Sequence, residues 1–172
     1  MKKALYILIL TMGCILGAFP ALAEEAPVLV SSNAAWKTYR FTENGKNVCF
    51  MSSQPGKQAG KFKKRGEVFF FVTHWSNDKD QNVVSVSGGY IFKPGSQITV
   101  KVNDKTFKLF TREEMAWATD QAMDDAITAE LQKGSSLLVK GVSQRGTETT
   151  DTYSLKGIGA AYQSMINACA KE

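Results

Sequence analysis

The stretch EVFFFVTHW, Glu67 to Trp75, constrains the fold of this chain more than any other. Successive residues of a strand point to opposite faces. Phe69, Phe71 and Trp75 therefore share one face, and Val68, Phe70 and Val72 the other. Apolar residues on both faces predict a central strand covered, at least in part, on both sides. The runs around it are short, β-rich and separated by turns. WKTYRF (36–41) places Trp36, Thr38 and Arg40 on one face and Lys37, Tyr39 and Phe41 on the other. Asn44-Gly45 tolerates positive φ at both positions and signals a hairpin into NVCFMS (47–52). QITVKVN (97–103) alternates with Ile98, Val100 and Val102 inward, and Asn103-Asp104 turns it into KTFKLF (105–110). NVVSVSGGYIF (82–92) alternates less cleanly, and Gly88-Gly89 predicts a bulge or a close backbone approach. Two later runs, 136–144 and 148–155, complete about eight strands.

Two helices join them. Residues 119–134 begin with Thr119 or Asp120 as N-cap, repeat Met123, Ile127 and Leu131 on one face, and end at Gly134. A closing helix from about Gly159 to Ala170 carries Tyr162, Met165, Ile166 and Cys169 on one stripe. The fold class predicted is mainly β: an antiparallel β-sandwich with two added helices.

The N-terminus reads as a processing signal. Met1-Lys2-Lys3 is basic, Ala4 to Phe19 is apolar and uncharged, and Ala21-Leu22-Ala23 precedes Glu24. This is the pattern of a cleaved secretory signal peptide, 1–23, with cleavage between Ala23 and Glu24. The competing readings are a short membrane anchor, for which the run is somewhat short, and a lipoprotein centred on Cys14, where Thr11 is the wrong residue. Removing 23 of the 172 residues leaves 149, the length of one domain, with 24–34 as a flexible lead and 35–172 as the domain. Lys2 and Lys3 leave too, so 21 Lys+Arg against 16 Asp+Glu becomes 19 against 16, too mild an excess to argue for nucleic acid. Cys14 leaves with the signal. Cys49 and Cys169 remain, and an even pair in an exported chain reads as one disulfide, with two free buried thiols as the alternative.

Several pieces in order resemble a known family. They are Val48-Cys49, Gly88-Gly89-Tyr90, Phe92-Lys93, Gly95-Ser96, Ala116-Trp117, Lys133-Gly134, Arg145-Gly146-Thr147, Asp151-Thr152-Tyr153-Ser154-Leu155, Gly157 and Cys169. Together they are similar to the invasion-associated locus B family of exported proteins of Gram-negative bacteria, over essentially all of the chain after the signal. The resemblance implies an immunoglobulin-like β-sandwich, a periplasmic or outer-envelope location with secretion as the alternative, and a link to host-cell invasion in pathogenic members. It implies no known enzymatic activity.

Candidate chemistry is sparse. His74 is the only histidine. A hydrolase would use it with Asp151 and a serine such as Ser154, but no G-x-S-x-G elbow is present. No His/Cys cluster suits a metal and no cofactor is expected. Lys57, Lys61, Lys63, Lys64 and Arg65 form a basic stretch around Phe62. It reads either as a solvated loop or as a patch for an anionic glycan, a lipid headgroup or another envelope or host-surface component. Finally, the hairpin around Gly146 puts Asp151 on the same face as Tyr153 and Leu155. A carboxylate there needs a partner; Arg145 across the hairpin, or N–H groups of the turn, are the expected ones, forming a structural latch of Arg145 and Asp151.

Overall fold

The computed structural model describes residues 26–76 and 81–170. The signal-peptide and cleavage assignments, Ala23 and Glu24 included, lie outside the described residues. Eleven strands are described: β1 (Val28–Asn33), β2 (Trp36–Glu43), β3 (Lys46–Ser53), β4 (Lys57–Gly60), β5 (Phe69–Trp75), β6 (Val83–Ser87), β7 (Gln97–Val102), β8 (Lys105–Arg112), β9 (Met115–Trp117), β10 (Ser136–Val142) and β11 (Glu148–Ser154). Helix α1 (Gln121–Lys133) separates β9 from β10, and α2 (Ile158–Cys169) closes the chain. All the pairings are antiparallel, and the hydrogen-bonded order is β1-β2-β3-β5-β6-β9-β8-β7-β10-β11-β4. The expected mainly antiparallel β class with two helices is therefore present. Its strands form one continuous ladder and do not divide into two separately bonded sheets.

That ladder must fold over itself. β3 is third from one end of the order and β4 ends the other, yet only residues 54–56 join them. A link that short spans about 14 Å at most between flanking Cα atoms, so the two ends of the sheet lie near each other. Phe70 of β5 meets Trp36 of β2 at 6.2 Å and Tyr153 of β11 at 6.0 Å between ring centres, each edge to face. The Trp36 indole N–H donates to the Ser154 carbonyl at 3.0 Å. The core is what the curled sheet encloses.

The opening stretch resolves accordingly. Val68, Phe70, Val72 and His74 face the core and are buried. The opposite face is half-covered, by neighbouring aromatic rings on the same face. Phe69 packs on Phe71, Phe71 on Phe50, and Phe50 on Tyr39 and Phe41, with centroids 5.1–6.3 Å apart.

The helices close the remaining gaps. Asp120 caps α1, its side chain accepting the Met123 N–H at 2.9 Å. The buried Asp124 then accepts the Val84 N–H at 2.7 Å and pins α1 to β6. Helix α2 packs on β1, β2, β3 and β5. The Thr38 hydroxyl donates to the Ala161 carbonyl at 3.1 Å, and the Cys49–Cys169 disulfide joins β3 to the last residue of the helix.

Three strands were not expected. Residues 28–33, read as part of a flexible lead, form β1 and pair with β2. Residues 57–60, read as loop, form β4 and pair with β11. Both are edge strands held through their backbones. Every β4 residue is exposed, as are Val28, Leu29 and Val30 of β1, so no burial alternation marks them. The third, β9, has only three residues.

A basic cleft at the sheet edge

The path from β4 to β5 builds one wall of a cleft. The chain leaves the edge strand at Gly60 and runs as irregular backbone through residues 61–68. It is tied down at Gly66, whose N–H donates to the Gly89 carbonyl at 2.9 Å. Gly89 has φ +64°, and a Cβ there would stand 2.6 Å from the Gly66 carbonyl oxygen. Only glycine fits such an approach, so the Gly88-Gly89 signal marked a close backbone contact. The other wall is the β10–β11 turn, closed by Ser143 N–H to Thr147 O at 2.9 Å and Gly146 N–H to Ser143 O at 2.8 Å. Tyr90 lies between, its hydroxyl 2.7 Å from Thr149 Oγ1. Burial raises the Tyr90 pKa, so this phenol stays protonated at neutral pH.

The resulting cleft encloses about 610 Å³. It is lined by Lys61, Lys63, Lys64, Arg65 and Arg145, by Phe62, Tyr90 and Ile91, and by Ser143, Gln144, Thr147 and Thr149. Among the described residues no carboxylate lines it. Two stretches read separately in the sequence, the basic run and the polar hairpin, thus face one another across a single cavity.

The basic run does not act as one patch. Lys57 sits on β4 and lines no part of the cleft. Arg65 turns inward, its side chain only 4% exposed. Its Nη1 and Nη2 donate to the two Asp151 carboxylate oxygens at 2.6 and 2.7 Å, and its Nε to the Gly88 carbonyl at 2.8 Å. Nη1 also reaches Gln58 Oε1 at 3.3 Å. The guanidinium lies 4.9 Å from the Tyr90 ring centre and 5.5 Å from that of Phe62. Lys61, Lys63, Lys64 and Arg145 make no salt bridge among the described residues.

The expected Arg145–Asp151 latch is therefore corrected: Asp151 is latched, but by Arg65. The reason is register. Asp151 pairs with Val139 in the hairpin, whereas Arg145 stands in the turn. Asp151 stands three residues of strand below the last hairpin pair, Val142–Glu148, and Arg145 lies beyond that pair in the turn. More than about 10 Å of ladder at about 3.3 Å per residue therefore separates the two, whereas Arg65 reaches the carboxylate directly.

The hydrolase arrangement is not assembled. His74 lies in β5 opposite Cys49, and its Nδ1 has no hydrogen-bond partner. Both Asp151 oxygens are occupied by Arg65. Ser154 is exposed at the end of β11, where its hydroxyl accepts the Lys156 N–H at 3.2 Å. Among the described residues no group of three or more His, Cys, Asp or Glu gathers as metal ligands would.

Burial lowers the pKa of His74 below its ordinary 6.5. The folded protein thus binds a proton less readily than the unfolded chain. This contribution to stability is complete above pH 6.5 and is lost as pH falls from there through the folded pKa. Melting temperature is expected to drop between pH 7 and 5, and His74→Gln is expected to flatten that drop. An equal slope in the variant would assign the pH dependence to other groups.

A family model described as Invasion associated locus B (IalB) protein matches residues 36–166. Among solved structures, the fold is similar to the crystal structure of invasion associated protein B from Bartonella henselae. That likeness has a TM-score of 0.57 at 17% identity and covers 81% of this chain and 95% of that one. No curated protein matches.

Proposed function

Because the chain belongs to the invasion associated locus B (IalB) family, we propose that it is an exported, non-catalytic interaction protein of the bacterial envelope, acting in host-cell invasion or envelope adaptation, and that its basic cleft holds an anionic partner. The observation that carries the reading is the convergence of Lys61, Lys63, Lys64 and Arg145 on one cavity with no carboxylate among the described residues of its lining. Cations gathered in a concave, partly desolvated site concentrate field lines and recruit anions. The charged groups of an envelope glycan or lipid headgroup meet that requirement. The separate engagements of Asp151 with Arg65 and of Ser154 with Lys156 favour this reading over a hydrolase built on His74. The described residues contain no helix long and apolar enough to cross a membrane.

The test is binding of the purified protein to aggregates of bacterial lipopolysaccharide, with phosphatidylcholine vesicles as the uncharged control. Binding is expected to weaken steeply as salt rises. The variant K61Q/K63Q/K64Q/R145Q should abolish it while folding normally. Binding unchanged in that variant would remove the cleft from the reading.

A further inference from the structure

We infer that the ligand of this cleft is an extended acidic saccharide whose charges are spaced apart, an inference that rests on the cleft being an anion site. A second hollow of about 470 Å³ adjoins the first and shares Lys61, Arg145 and Thr147 with it. Lys61, just after β4, and Arg145, in the β10–β11 turn, stand where the two meet. The pair forms one groove, with more room than an isolated phosphate or a single sugar would fill.

The charges along this groove are uneven. The first hollow is lined by all four free cations, whereas the second keeps Lys61 and Arg145 but adds the exposed carboxylate of Glu148. A nucleic acid strand carries a phosphate on every nucleotide, so one threading the groove would set a phosphate near Glu148. A saccharide with acid groups on only some of its residues avoids that clash. Its hydroxyls can donate to the Glu148 carboxylate and bond to Gln144 and Thr147, which line the same groove. Base stacking is also disfavoured. Strand-binding sites offer open aromatic faces, but Arg65 already occupies one face of both Phe62 and Tyr90. A lipid would need a continuous apolar lining, and among the described residues the groove offers, beside those two rings, only Ile91.

Titration calorimetry of the purified protein tests this with five probes: inorganic phosphate, a hyaluronan disaccharide, its hexasaccharide (acidic on alternate residues only), a twelve-residue oligothymidylate and phosphatidylglycerol vesicles. The hexasaccharide is expected to bind about tenfold more tightly than the disaccharide or phosphate, and Arg145→Gln to lose about that factor. Glu148→Ala separates recognition from bulk charge. It should weaken the hexasaccharide and tighten the oligothymidylate, whereas simple charge removal would tighten both. Equal affinity for disaccharide and hexasaccharide would overturn the extended ligand but leave the anion site standing. Tighter binding of the oligothymidylate, or binding of the vesicles alone, would assign the groove to nucleic acid or lipid. Binding of none of the five would sink the anion site itself.

Discussion

Replacing Asp151 by alanine is expected to lower folding stability by about 3–5 kcal/mol, because it strands the Arg65 guanidinium in the interior without its counter-charge. The Arg65 and Asp151 side chains are 4% and 3% exposed, so solvent can offer little compensation. The pair is bidentate, with the remaining Nε bonded to the Gly88 carbonyl. Nothing else among its contacts supplies a negative charge. Asp151→Asn keeps one acceptor and should cost less. Removing both charges, as in R65M/D151L, should cost least, since replacing a buried ion pair by packed apolar residues is often neutral or better. Urea denaturation decides it: a lower midpoint at unchanged slope reports stability alone. Arg145→Ala is the discriminating control, because Arg145 is an exposed turn residue and its loss should move stability by no more than about 0.5 kcal/mol. If Arg145→Ala matched Asp151→Ala, the pairing described here would be wrong.

The same pair shows where the sequence is legible and where it is not. The inward face of β11 could be read from alternation alone, and with it the need of Asp151 for a partner. Its partner could not be read that way. Arg65 lies 86 residues away, and local pattern carries no information about which loop crosses the end of the sheet. Counting register from Gly146 would have excluded Arg145. It would not have chosen Arg65 over the lysines beside it. Helix α1 was legible because its signals are local: a capping aspartate, a face of Met123, Ile127 and Leu131, and a terminal glycine. Strands β1 and β4 were not, because they pair by backbone at the sheet edges and bury few side chains. The cleft lies between these cases. Both of its walls stood out in the sequence, one as basic and one as polar, but only the closure of the sheet sets them opposite each other. Tyr90, in its floor, was missed as a site residue, although the two glycines before it announced a crowded backbone.

Loss of the Cys49–Cys169 bridge is expected to be the single most destabilising change. It joins residues 120 apart in sequence, and constraining a loop of that size in the unfolded chain is worth about 5 kcal/mol on the chain-entropy estimate. Its position in the native fold adds a local consequence. Cys49 is fully buried in β3 and Cys169 is 4% exposed at the end of α2. Neither sulfur is open to reductant without prior opening of the structure, so reduction should be slow under native conditions and fast in mild denaturant. Helix α2 has no side-chain N-cap and no basic residue in its last turn, so little within the helix opposes its fraying. Once the bridge is cut, it is held by its apolar face and by the Thr38–Ala161 and Tyr162–Asn82 hydrogen bonds. Hydrogen exchange in C49A/C169A should therefore rise first across Ile158–Cys169, and the melting temperature should fall well below that of the oxidised protein. Unchanged exchange in α2 alongside a lower melting temperature would place the stabilisation wholly in the unfolded chain. An unchanged melting temperature would mean the bridge contributes to neither state.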